Sequence, residues 1–179
     1  MITRVKIFLS FLFILASINY PQETEKEFLI KAAMIEKISH FVEWPQNTND
    51  ENFIIYILGN HPIQSYLSDL FSSRKIKNKN VTINKISKIS EIKNCNVLIV
   101  SSEFRNSIPN IIAKVTKKEI LTISDSDGFA EAGILFNFYN EGSSIRFELN
   151  ESTLKNSDLR ISYRLLNLAR IIKNPGGGQ

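Results

Sequence analysis

Apolar residues in the stretch Glu25 to Val42 fall at Phe28, Ala32, Ile35, Ile38, Phe41 and Val42. Steps of three and four of this kind predict a helix with one buried face. Trp44-Pro45 closes it, because the residue before a proline is pushed out of the α region. Phe53 to Leu58 is then a continuous apolar run of strand length, ended by Gly59-Asn60. His61-Pro62 opens a helix that runs through Leu70 and Phe71. Val81 to Ile86 alternates as a half-buried strand, and Val97 to Val100 reads as a short buried one. Ser107-Ile108-Pro109 starts a helix to Val115 with proline in its first turn. Ile120 to Ile123 is a further strand, leading into the turn-rich Ser124-Asp-Ser-Asp-Gly128. Ile134 to Tyr139 and Ser144 to Leu149 flank Asn140-Glu-Gly142 and predict a β-hairpin. A last helix beginning at Asp158 or Ser162 is expected to carry Leu165, Leu166, Leu168, Ala169, Ile171 and Ile172. Alternating helices and strands followed by a hairpin predict one α/β domain, residues 25–173. Its sheet should be mixed and mostly parallel, flanked by helices, with the hairpin and last helix at the C-terminal end.

The ends carry a different signal. Met1 to Lys6 is a short positive segment, and the apolar stretch Ile7 to Ile18 follows it. Twelve residues make a helix of about 18 Å, well short of the ~30 Å hydrocarbon core of a bilayer. Residues 1–20 therefore read as a cleavable secretory signal peptide, with an uncleaved N-terminal anchor as the alternative. Asn174-Pro-Gly-Gly-Gly-Gln179 reads as a loose tail.

Charge excludes one class of partner. The chain has 22 Lys+Arg against 18 Asp+Glu, and without Arg4 and Lys6 in the leader the balance is 20 to 18. So small an excess is no nucleic-acid footprint. Cys95 is the one cysteine, so no internal disulfide supports the fold. Next to Val97-Leu-Ile-Val100 it is expected to be buried and inert, with dimerisation through the thiol as the other option.

Candidate catalytic chemistry is sparse. Glu36 and His40 are four apart and could share a helix face, but two ligands do not make a zinc site, and an ion pair is the simpler reading. With Gly128 at the sixth position of a calcium loop, Ile123 and Ile134 would stand where carboxylates are required. No nucleophile elbow or phosphate-binding loop is present. A non-catalytic protein without metal or cofactor is the expectation.

A set of spaced segments is more informative. Lys31-Ala32-Ala33-Met34-Ile35 runs into Phe41-Val-Glu-Trp44-Pro45. Leu121-Thr-Ile-Ser-Asp125, Gly128-Phe129, Gly133, Asn137-Phe138, Arg146-Phe-Glu-Leu-Asn150 and Leu165-Leu-Asn-Leu-Ala169 follow in order. Together they resemble the YfiR family of periplasmic proteins, from Phe28 to Ile172. The resemblance implies a small periplasmic α/β protein without catalytic activity. It further implies regulation, by binding the periplasmic sensor part of an inner-membrane diguanylate cyclase or histidine kinase, with effects on cyclic-di-GMP and biofilm formation. Relatives of that kind carry disulfides, which Cys95 alone cannot form within the chain. The alternative reading is a periplasmic small-molecule-binding module, and a homodimer is the other partner left open.

The residues themselves admit plainer roles. Trp44-Pro45 is either a helix stop with its indole on the core or a contact. Gly128 supplies backbone angles closed to other residues. Arg146 and Asn150 either pair across the hairpin or cap the following helix, and Asn150 with Thr153 nearby fits an N-cap region. Contact surfaces are therefore sought in the turns, at Trp44, Pro45, Asp125, Asp127, Gly128, Phe129 and on the hairpin at Arg146. Phe129 is expected to be less committed to the core than Trp44. For a small ligand, the crevice at the carboxyl ends of the parallel strands, near Gly59, Ser101-Ser102 and Asp125, is the expected pocket.

Overall fold

The computed structural model describes residues 25–45 and 51–173; the expected signal peptide and tail lie outside them. Helix α1 (Glu25–Phe41) leads into the short strand β1 (Val42–Glu43). Strand β2 (Asn52–Leu58), helix α2 (Ile63–Phe71), strand β3 (Asn80–Ile86) and strand β4 (Val97–Val100) follow. A 3-10 turn over Ser102–Ser107 joins β4 to α3 (Ile108–Val115), and β5 (Leu121–Ser124) comes next. The hairpin is β6 (Phe136–Glu141) and β7 (Ser144–Asn150). The chain ends in α4 (Glu151–Lys155), β8 (Arg160–Ile161), α5 (Tyr163–Leu166) and β9 (Arg170–Ile172).

Seven strands form one sheet in the order β3-β2-β4-β5-β6-β7-β9, while β1 pairs with β8 apart from it. Pairings from β3 through β6 are parallel, β6–β7 is antiparallel, and β7–β9 is parallel. The fold is the α/β sandwich with a mostly parallel mixed sheet that the alternation of patterns predicts.

The central strands are apolar on both faces because each face has its own helix layer. Ile55, Ile57, Val97 and Ile99 pack with Phe28, Ala32, Ile35 and Ile38 of α1 and Leu67 and Phe71 of α2. Leu58, Leu98 and Val100 pack on the other side with Ile108, Ile111 and Val115 of α3. Asn150 caps α4 as expected, its Oδ1 accepting from Thr153 N–H at 2.7 Å.

Two expectations need correction here. The last helix does not continue to Ile172: α5 is a single turn capped by Ser162, and Arg170–Ile172 adds a strand beside β7. Hydrogen bonding to the open edge of β7 outweighs the helical spacing of the leucines, and the β-branched Ile171 and Ile172 suit a strand. Phe129, expected to be less committed to the core than Trp44, is completely buried within the α3-side core. The Arg105 guanidinium lies over its ring at 4.8 Å and closes the turn above it.

Candidate functional site

Lys31 lies on the buried face of α1, between Phe28 and Ile35. Only 4% of its side chain is exposed, and its ammonium donates to Asp125 Oδ2 at 2.9 Å. Asp125 follows β5, at the carboxyl end of the parallel strands. Its other oxygen, Oδ1, stands 3.1 Å from Nε2 of His61, which follows β2. His61 Nδ1 accepts from Ile63 N–H at 3.2 Å. With Nδ1 turned to Ile63, Nε2 is the ring nitrogen that faces Asp125. Three segments, from α1, β2 and β5, are thereby tied at one carboxylate. Burial pushes the Asp125 carboxyl up, but hydrogen bonding and charge from His61 and Lys31 overcome it and hold the group down at about 2. It is a fixed anion, fully satisfied.

Lys31 and Asp125 form one wall of a cleft of about 480 Å³, lined also by Asp127, Phe138, Tyr139, Asn140 and Arg170. Arg170 reaches it from β9. Its guanidinium lies 3.9 Å from the Tyr139 ring and pairs with the buried Glu148, which also accepts from Asn137 Nδ2 at 3.1 Å. Register explains the chain of contacts, since Asn137, Glu148 and Arg170 are direct neighbours across β6, β7 and β9.

The residues expected from sequence separate into several places. Asp125 and Asp127 share this cleft. Gly128 sits in the adjoining turn with φ of +76°, a conformation that favours glycine. Trp44 and Pro45 lie elsewhere, lining a cleft of about 370 Å³ with Phe53, Lys77 and Asn96 at the amino ends of β2 and β4. Trp44 is buried there, its Nε1–H donating to Asn96 O at 3.2 Å and its ring edge-on to Phe53 at 5.2 Å. Arg146 is exposed on the hairpin and pairs with Glu141 at 3.3 Å. Glu36 pairs with Arg74 at 2.9 Å, and among the described residues no group of three or more His, Cys, Asp or Glu could hold a metal ion.

Sequence reading missed Lys31, His61 and Arg170 as site residues. Lys31 had a legible signal, a cation in the buried stripe of an amphipathic helix. For His61 and Arg170 the signal is long-range and lies in the sheet order.

Residues 29–170 match the family model described as YfiR/HmsC-like. The chain belongs to the YfiR/HmsC-like family. No curated protein matches it. The family fits a periplasmic regulatory protein. No helix among the described residues is long and apolar enough to cross a membrane. Within this YfiR/HmsC-like chain, the Lys31–Asp125 ion pair joins the opening helix to the strand-and-turn segment on which the resemblance rests.

Proposed function

We propose that the protein is a non-catalytic periplasmic regulator that binds the periplasmic sensor part of an inner-membrane signalling enzyme. The enzyme class is a diguanylate cyclase or a histidine kinase, and the output is cyclic-di-GMP and biofilm control in the first case. The observation that supports this reading is a concentration of exposed apolar side chains on the C-terminal segment. Tyr163 is 75% exposed and Leu168 66%, with Ile171 partly exposed beside them in sequence. Ser162 N–H donates to Phe41 O at 3.0 Å, so the exposed Phe41 of α1 belongs to the same region. Exposed apolar patches mark contact surfaces. Strand β9 also ends the sheet, leaving its outer edge open among the described strands.

Of the residues picked from sequence, the exposed Pro45, Asp127, Gly128 and Arg146 are proposed as accessory contacts. Trp44 and Asp125 act from inside, as supports. The test is fractionation followed by affinity capture from detergent-solubilised membranes. The tagged protein is expected in the periplasm, with a membrane enzyme of one of these classes enriched on it. A cytoplasmic location, or capture that enriches no such enzyme over an untagged control, overturns the reading.

A further inference from the structure

The chain leaves β2 for β3 on one side and then returns to β4 on the other. The crevice outside the carboxyl ends of β2 and β4 is thus the switch point at which doubly wound sheets take their ligands. Ser101 N–H donates to Leu58 O at 3.1 Å, which sets Ser101 beside Gly59 at this crevice. The space is filled by the chain itself. Glu103 Oε1 accepts from Asn60 N–H at 2.7 Å. A Cβ built on Gly59 would fall 2.0 Å from that same oxygen. The room left by Gly59 is the room the carboxylate uses.

Two further groups lie at the carboxyl ends of the neighbouring strands. Ser101 is only 2% exposed, and its hydroxyl has no hydrogen-bond partner among the described residues. Buried hydroxyls are nearly always satisfied, so this one calls for an explanation. Lys85, on β3, donates from Nζ to Asn60 Oδ1 at 3.1 Å and supplies a cation at the rim.

We propose that the switch point is a binding site for the oxyanion of a small solute, carboxylate or phosphate, held shut by Glu103 as an internal substitute. Glu103 lies on the exposed 3-10 turn and can swing into solvent. The incoming oxyanion takes over the Asn60 N–H, reaches the Ser101 hydroxyl that Glu103 leaves unused, and meets the charge of Lys85. This site is separate from the exposed apolar segment, and the inference does not rest on partner binding.

The test titrates Glu103→Ala with inorganic phosphate and with acetate, following the Asn60 amide resonance. One of the two anions is expected to bind the variant at least about tenfold more tightly than the unaltered protein, the scale of one charge-assisted hydrogen bond. Which anion responds distinguishes phosphate from carboxylate as the natural group. Adding Ser101→Ala is expected to remove the gain. If neither anion binds Glu103→Ala more tightly, or if the gain survives Ser101→Ala, the proposal is wrong. Should Glu103→Ala fail to fold, Glu103→Gln decides on the same readout, with a gain of at least about threefold expected.

Discussion

Lys31→Met removes the ammonium from the Asp125 carboxylate while keeping the length and apolar stem of the side chain. Asp125 is then left on His61 alone, in a position where only 12% of its side chain is exposed. Removing one partner of a buried ion pair costs about 3–5 kcal/mol, because the remaining charge stays buried. The low carboxyl gives a second route to the magnitude. A group moved from 3.8 to about 2 carries about 2 kcal/mol of pH-linked stability. Taking about 3 kcal/mol, the midpoint of thermal unfolding should fall by about 6–12 °C for a domain of this size. The sign with pH follows from the lowered carboxyl. Its stabilisation is complete above the unfolded value near 3.8 and is lost as pH falls toward 2. In Lys31→Met, where the folded carboxyl is less depressed, this acid-dependent loss should be smaller. The assay is circular dichroism melting of both proteins between pH 2 and 7, together with Asp125→Asn and the double variant. The double variant should cost less than the sum of the two single variants, since both substitutions break the same contact. A Lys31→Met melting point within about 2 °C of the unaltered protein at pH 7 would refute the idea that this network ties α1 to the sheet.

Trp44→Ala should cost about 3–5 kcal/mol, as loss of a buried aromatic with a hydrogen-bonded indole does, read as a lowered denaturation midpoint. Phe129→Ala should also be costly, by about 3–5 kcal/mol, because its ring is wholly inside the core under Arg105; a stable variant that has lost only partner binding would contradict this. Burial pushes the Cys95 thiol up to about 12, so it should be unreactive toward a disulfide reagent at pH 8 until the protein is unfolded, and reductant should leave the melting point unchanged.

The sheet was legible wherever burial is set by neighbours in sequence. Val97 to Val100 and Phe53 to Leu58 show continuous apolar runs because helices cover both faces, and the Gly142 turn declares the hairpin. The C-terminal end was not, because Leu165 to Ile172 satisfies a helical pattern while the decisive fact is the open edge of β7, a feature of the assembled sheet. Phe129 was misplaced for a similar reason: its lid, Arg105, comes from a different turn of the chain. The candidate site was half legible. Asp125 stood out as a turn acid, but its partners are 94 and 64 residues away in sequence, and only the parallel crossovers bring them together.

The most direct test of the regulatory account is capture of the membrane signalling enzyme by the unaltered protein and by Leu168→Asp, each with its melting point measured. Leu168 is largely exposed, so the substitution should leave the melting point within about 2 °C, since surface changes usually stay within about 0.5 kcal/mol. The account predicts that capture of the enzyme's periplasmic part is lost or reduced at least about tenfold, as when a charge is set in an apolar contact. Undiminished capture by a folded Leu168→Asp would contradict the assignment of the C-terminal segment as the contact face.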